Sequence, residues 1–452
     1  MDLYGPLLAK ALFPAFEALR GRPTVGLLEY LQTTERASLT ALRDVQVGFL
    51  RRLLRHAYIH TSYYRDVMDA ADVRPEDVDS VEILERLPLL DRVIARDTEQ
   101  ARLAAGPPHV AVTKRSSGTT GQPMVVHYNA ESRYWRDATR WRGYGWAGYQ
   151  IGMRAFHYWG FGPKPKSWFK RTKADLDHRL KRDMFVDCTP RSDEALTAAV
   201  AQFESYRPGV IVAYAAGAAA LAKFVNRKGL RRWKDTPVLV GAERLWPDDR
   251  KEIERAFGPA FETYGAREVM LMAAECEAHD GLHTSMETMI VELIVREDGK
   301  IRAARPGETG EVVVTDLHNL AGPLIRYVIG DLAVAHEPKP CACGRSLQKI
   351  GPIEGRLTET LSDGAGNPVS GLVFSILFAL LDTETTQFQV VQHVDRTVTL
   401  KISSHVPLSA ATEKGVRAFC TKYLPGVTMT IERVDDIPLT AAGKRKIVVV
   451  ER

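Results

Sequence analysis

No apolar run in this 452-residue chain is long enough to cross a bilayer: the longest, Gly371 to Leu381, falls short of the roughly 18 residues that a spanning helix needs. That run is expected to form a buried helix. The opening stretch MDLYGPLLAKALFPAFEALRG carries Asp2 where an export signal would carry positive charge, and no small-residue cleavage site follows, so neither a transmembrane nor a secretory segment is expected. Its Leu7, Leu8, Leu12, Phe13 and Phe16 are expected to share a helix face that packs against the protein body, with a membrane surface as the alternative use. Cysteine is scarce and odd in number, five in all, which argues against a disulfide framework and for a reducing, cytoplasmic setting. Charge of one sign is also lacking. The net +5 comes from 61 Lys and Arg against 56 Asp and Glu, and runs such as RRLLRHAYIH and KPKSWFKRTK read as solvated helix faces and loops, with attraction to anionic substrates or membranes as a minor alternative. A nucleic-acid partner is not expected, because such binders gather their basic residues on one face.

Several catalytic signatures are missing as well. HExxH, GxSxG and HRD elements are absent, which removes the anchors of zinc proteolysis, serine hydrolysis and protein phosphorylation. GYGWAG, Gly143 to Gly148, has the glycine spacing of a dinucleotide loop, but a helix-like segment rich in arginine and aromatics precedes it instead of a strand, so the match is read as coincidence.

What is present is a globular composition, 45% hydrophobic and 26% charged, on a chain too long for one core. Leucines at helical spacing from Leu28 to Ala71 predict a helical block. GVIVAY, TPVLVG, IVELIV and GEVVVTD then alternate with helical segments, which predicts an α/β body. After EGRLTET the texture changes to FQVVQHV, TVTLKIS, a helix from Ser409 to Tyr423, VTMTIERV and KIVVVER, a small α+β unit. The boundary is placed near Gly355 to Thr358, giving domains 1–355 and 356–452. Repeats and low-complexity tracts are not evident.

The stretch VTKRSSGTTGQPMVVHY clusters Ser116, Ser117, Thr119 and Thr120 around Gly118 and Gly121. Glycines let backbone N–H groups approach an anion and hydroxyls add donors, so phosphate is the first candidate ligand. Gln122 stands where the common nucleotide loop has lysine after its last glycine, and taken alone the stretch also fits a polar turn between strands. Four further elements follow in order: GAERL, ETYGAREV, PLIRYVIGD and LTAAGKRK. Each is weak alone. Together, from about Leu28 through Lys446, they resemble the adenylate-forming superfamily of acyl-CoA synthetases, adenylation domains and luciferases. Within it the closest resemblance is to the phenylacetate-CoA ligase branch, especially its capsular polysaccharide biosynthesis group.

The resemblance implies a large adenylation domain that binds ATP and the acid, and a small mobile lid domain. Ser116, Ser117, Gly118, Thr119, Thr120 and Gly121 would hold the β- and γ-phosphates. Met124 replaces the lysine that most relatives carry after the proline, a departure that the branch shares. Ala242 and Glu243 would border the adenine, and Tyr264 would stack on it, with Gly265 allowing close approach. Glu268 would bind Mg²⁺ through a carboxylate oxygen, and Arg267 stands where many relatives have threonine, as in the capsular group. Asp331 would accept hydrogen bonds from the ribose hydroxyls, and Arg356 would lie near the ribose. Thr358 occupies the pivot where aspartate or lysine is usual. Lys444 would place a cation between the substrate carboxylate and the α-phosphate.

ECEAHDGLH and CACG supply a second constellation, Cys276, His279, His283, Cys341 and Cys343, whose thiolates and imidazoles are usual zinc ligands. Which histidine serves is left open by the spacing. The resemblance favours Cys276, His283, Cys341 and Cys343 as a closed structural site. FHYWGFG, Phe156 to Gly162, and AYAAGAA, Ala213 to Ala219, are expected either to line an acid pocket or to be ordinary core. The expected reaction is ATP-dependent acyl-adenylate formation from a small carboxylic acid, aryl or medium-sized and apolar, with pyrophosphate release and transfer to CoA. Transfer to an amine, hydroxyl or carrier-protein thiol is the alternative, and a non-catalytic scaffold of the same fold is the alternative of another class. A dimer is compatible with this reading.

Overall fold

The computed structural model describes residues 2–115, 124–160, 168–188, 190, 192–297, 299–356, 360–366, 368–370, 385–404, 408–438 and 448–451. Its contacts divide into two compact units, Met1–Ile329 with Ala333–Ile353, and Gly330–Leu332 with Glu354–Arg452.

The first unit begins with a helix in three parts: α1 (Tyr4–Leu7), a π-helical turn (Leu8–Leu12) and α2 (Phe13–Leu19). Pro14 has no N–H to return to the Lys10 carbonyl, and the wider turn avoids the clash between its ring and that oxygen. The inserted residue also shifts the helical phase. Leu3, Leu7, Leu12, Phe16 and Leu19, spaced by four, five, four and three residues, therefore share one side, and all of them are exposed. The expected packing of Leu7, Leu12 and Phe16 against the body does not occur. Only Leu8 and Phe13 turn partly inward, Phe13 meeting Trp141 edge-on at 6.5 Å.

Helices α3 (Thr24–Thr34), α4 (Leu39–His60) and α5 (Ser62–Ala70) follow. Ser38 and Thr61 cap the last two by accepting from the backbone N–H groups of Ala41 and Tyr64. Leu50, Leu53, Leu54 and Ala57 recur at helical spacing along α4 and bury against Ile290, Leu317 and Ile325. Each such leucine contributes about 2 kcal/mol by leaving water. Short helices α6 (Arg92–Asp97) and α7 (Glu99–Arg102) lead into the hairpin β1 (Val112–Arg115) and β2 (Val125–Tyr128). Helix α8 (Ala130–Trp146) comes next, and its last turn contains most of GYGWAG, which is therefore no dinucleotide loop. Gly143 is needed there because a Cβ would lie 2.6 Å from the Leu271 side chain, so α8 can press close to the sheet.

Strand β3 (Ala155–Trp159), α9 (Trp168–Lys181), β4 (Asp183–Asp187), α10 (Asp193–Tyr206), β5 (Val210–Tyr214), α11 (Ala215–Lys228), β6 (Val238–Gly241), α12 (Pro247–Ala256) and β7 (Ala260–Ala266) form an alternating run. Its strands pair in parallel in the order β4-β3-β5-β6-β7. Strands β5 and β6 read as continuous apolar runs because helices cover both faces. Strands β8 (Met270–Glu275), β9 (Leu282–Thr284), β10 (Met289–Glu297), β11 (Lys300–Ala303), β12 (Thr309–Asp316), β13 (Tyr327–Ala335) and β14 (Lys349–Arg356) extend it into a twelve-stranded order, β11-β10-β12-β13-β14-β9-β8-β7-β6-β5-β3-β4. Among the described residues no helix is long and apolar enough to cross a membrane.

The second unit holds a small hairpin, β15 (Thr360–Ser362) with β16 (Pro368–Ser370), and β17 (Thr385–Gln392), β18 (Val398–Ser404), α13 (Ala410–Tyr423), β19 (Met429–Arg433) and β20 (Val448–Val450). The sheet order is β19-β18-β17-β20, and Val416, Phe419 and Cys420 of α13 pack on Phe388, Val390 and Leu400. The sequence Gly371 to Leu381, expected to be a buried helix, lies outside the described residues.

Candidate active site and cysteine cluster

In an open α/β sheet, ligands bind beyond the carboxyl ends of the parallel strands, where loops leave the sheet toward different elements. Strand β6 ends at Gly241, aligned with Tyr214 at the end of β5, and β7 carries Tyr264 one strand further on. Ala242, Glu243, Tyr264 and Gly265 therefore gather at one sheet edge. Ala242 sits in the left-handed region at φ +68°, a conformation costly for a residue with a Cβ. The Glu243 carboxylate accepts the Ala216 N–H at 3.1 Å, in the first turn of α11, so it also serves as an anion at a helix amino terminus. A Cβ on Gly265 would lie 2.3 Å from the Met270 carbonyl oxygen, which explains glycine at the tight β7–β8 return. YGARE is thus the end of a strand and a hairpin turn, not a helix start.

Glu268 lies in that turn, 9% exposed, and its carboxylate makes no hydrogen bond to a described residue. Its backbone oxygen accepts from Arg136 Nη1 at 2.9 Å, while Arg136 Nη2 meets Asp316 Oδ2 at 2.5 Å. The same guanidinium stands 4.3 Å from the Tyr128 ring centre. Arg136 on α8 thereby ties the Glu268 turn to the stem of the hairpin around SSGTTGQP. The sequence reading missed Arg136 and Asp316. A signal was present in α8, where Ser132, Arg136, Thr139 and Gly143 recur at helical spacing and all are buried.

Strands β1 and β2 pair from Val112 with Tyr128 to Arg115 with Val125. Tyr128 and Met124 share a hydrophobic cluster with Tyr264 and Val269. The six loop residues Ser116 to Gly121 lie outside the described residues, as do Thr358 and Lys444. Asp331 is buried in strand β13, just after Gly330 at φ +87°, and Arg356 ends β14. Phe156 and Tyr158 belong to the core beneath α10 and α11, with Phe156 edge-on to Phe203 at 5.5 Å. Ala213, Ala215, Ala218 and Ala219 are buried in the same core. These residues hold the sheet on its helices. A separate cavity of about 800 Å³, lined by Arg43, Ile290, Glu292, Arg326 and Lys349 among others, touches none of the expected site residues.

The cysteine-rich segments converge. Cys276 follows β8, His283 is on β9, and Cys341 and Cys343 lie in the turn before β14; their four ligand atoms fall within 4.8 Å of one another. Cys276 Sγ is 3.7 Å from Cys341 Sγ, and Cys343 Sγ is 3.3 Å from His283 Nε2. His283 Nδ1 donates to the Leu347 carbonyl at 3.1 Å, leaving Nε2 toward the thiols. Burial, the largest cause, pushes the Cys276 thiol up to about 12 and the His283 imidazole down to about 4. For Cys343 burial opposes ionisation, but hydrogen bonds from the Arg345 backbone and side chain prevail and lower the thiol below its usual range. His279 is elsewhere, 3.0 Å from Glu275 and against the Phe261 ring.

The fold is that of the adenylate-forming ligases. A 2-hydroxyisobutyryl-CoA ligase in its postadenylation state superposes with a TM-score of 0.73 at 17% identity, over 92% of this chain and 91% of that one. ATP-bound MatB from Rhodopseudomonas palustris superposes with a TM-score of 0.52 at 16% identity, over 76% and 68%. No family model matches the sequence. In sequence the chain is similar to phenylacetate-coenzyme A ligases: 28% identical to that of Thermus thermophilus over 358 residues, 77% of each chain. The ligase of Escherichia coli K12 is 28% identical over 344 residues, 73% of this chain and 75% of its own.

Proposed function

We propose that this chain is an AMP-forming carboxylic acid–CoA ligase. Carboxylate attack on the α-phosphate of ATP forms an acyl-adenylate and expels pyrophosphate, and the CoA thiolate then attacks the acyl carbon and expels AMP. The observation that carries the reading is the gathering of Ala242, Glu243, Tyr264 and Gly265 at the carboxyl edge of the parallel strands, with Glu268 in the turn that follows, in a chain similar to phenylacetate-coenzyme A ligases over about three quarters of both lengths.

In this reading Ser116, Ser117, Thr119 and Thr120, with the N–H groups of Gly118 and Gly121, donate to the β- and γ-phosphates. Tyr264 stacks on adenine between Ala242 and Glu243, Asp331 accepts from the ribose hydroxyls, and Arg356 lies near the ribose. The open Glu268 carboxylate holds Mg²⁺, which neutralises phosphate charge when bound, and Arg136 fixes the turn that presents it. Lys444 delivers the cation between acid and α-phosphate, and residues 356–452 act as the lid. Arg267 favours the capsular polysaccharide group within the branch, and five free cysteines suit a reducing cytoplasm. Hydroxylamine trapping across a panel of carboxylic acids tests the reading. One or more ATP-dependent hydroxamates, replaced by acyl-CoA when CoA is added, are expected; trapping without any CoA thioester would assign the acyl group to another acceptor.

We propose, on separate grounds, that Cys276, His283, Cys341 and Cys343 hold a structural zinc. Thiolates about 2.3 Å from a tetrahedral zinc stand about 3.8 Å apart, and Cys276 and Cys341 are 3.7 Å apart. Three thiolates and a neutral imidazole around Zn²⁺ carry one net negative charge, which suits the field of Lys349, Arg345 and Arg142 at His283. With four protein ligands the site is closed to substrate.

A further inference from the structure

Nine of the seventeen large apolar side chains exposed among the described residues fall in two short segments, Leu3–Leu19 and Leu176–Phe185. The segments adjoin. The Tyr4 hydroxyl donates to the Leu180 carbonyl at 2.9 Å, and Arg182 pairs with Asp2 at 2.7 Å. One side of this face is the leucine and phenylalanine stripe that the π-turn aligns, and the other is Leu176 and Leu180 of α9, 57% and 53% exposed.

The charge beside this face is positive on balance: residues 2–22 and 172–185 contain seven Lys and Arg against five Asp and Glu. Lys10, Arg20, Lys173 and Arg179 are exposed and make no ion pair with a described residue.

We propose that this face docks reversibly on an anionic lipid surface, with the apolar stripe at the headgroup boundary and the unpaired cations against lipid phosphates. Apolar side chains beside long cationic ones suit a bilayer surface, which offers hydrocarbon just beneath negative charge. A second copy of the chain is a poorer occupant, because it would bring the same unpaired cations, Lys10, Arg20, Lys173 and Arg179, against themselves.

Vesicle co-sedimentation of the full chain tests this, with phosphatidylcholine vesicles against vesicles containing about 30% phosphatidylglycerol, at low and high salt. Binding should be several-fold greater on the anionic vesicles and should fall to the neutral level at high salt. Leu7→Ser with Phe16→Ser, and separately Lys173→Glu with Arg179→Glu, should each lower it roughly tenfold while the melting temperature and hydroxamate formation stay unchanged. Removing exposed apolar groups elsewhere, Ile301→Ser with Val394→Ser, should leave binding intact. Failure to sediment with either vesicle, equal salt-insensitive binding to both, or a dimer that Leu7→Ser with Phe16→Ser dissociates without any lipid binding would each overturn the proposal.

Discussion

Glu268 carries a carboxylate that is nearly buried yet makes no hydrogen bond to a described residue, an arrangement that costs desolvation unless a cation or water repays it. Glu268→Gln keeps the shape and removes the charge, so adenylation and its reverse should both slow by roughly tenfold or more, with a higher Mg²⁺ requirement. Normal kinetics at every Mg²⁺ concentration would remove Glu268 as the metal ligand. Two residues before Tyr264, Glu262 is held by burial first and Glu275 second at a pKa of about 7. Its folded pKa lies above the unfolded value near 4.5, so folding takes up a proton, and stability should fall as pH rises from about 4.5 to 7. The slope approaches about 1.4 kcal/mol per pH unit at most. Urea midpoints against pH should show this loss in the native protein and a flatter profile in Glu262→Gln. The motif residues were legible because glycine spacing and hydroxyl clustering are local properties. Arg136 was legible only in part: its helical spacing with Ser132, Thr139 and Gly143 marks an inward face, but nothing local names its partner, an aspartate 180 positions away.

At the scale of elements, the cysteine cluster fastens the end of β8, strand β9 and the turn before β14, where the strand pairing is short, Ala273–Glu275 of β8 and Lys349–Ile350 of β14 against β9. Elemental analysis of protein purified without added metal should find about one zinc per chain. Cys341→Ser should lower the melting temperature and bring the zinc content close to zero while leaving ATP–pyrophosphate exchange largely intact at low temperature. Less than a tenth of a zinc per native chain with free thiols would refute the site. Alternating αβ segments and the carboxyl-terminal α+β texture made β5, β6, β10, β12 and the strands β17 to β20 readable from the hydrophobic pattern. The N-terminal helix misled for a physical reason: an ideal 3.6-residue period predicts one packed stripe, and the π-turn rotated part of that stripe into solvent.

At the scale of the whole molecule, the chain divides after Ile353, and the two chemical steps make different demands on its parts. Adenylation needs a cation between carboxylate and α-phosphate, whereas thioester formation begins from a finished adenylate. Lys444→Ala should therefore slow the first step by roughly two orders of magnitude or more and leave transfer from a supplied acyl-adenylate nearly untouched. Equal losses in both steps would make Lys444 structural. The large domain's architecture was readable from the sequence, but the acid was not, because FHYWGFG and AYAAGAA have the same composition whether they line a pocket or, as Phe156 and Ala213 do, fill a core. The most direct test of the ligase assignment is ATP–pyrophosphate exchange measured across a broad panel of carboxylic acids with the native protein. Exchange that appears only with a subset of acids and needs Mg²⁺, with AMP and acyl-CoA accumulating together once CoA is added, is the predicted result. Exchange that no acid raises above background would contradict the assignment and leave a protein that keeps the fold without the chemistry.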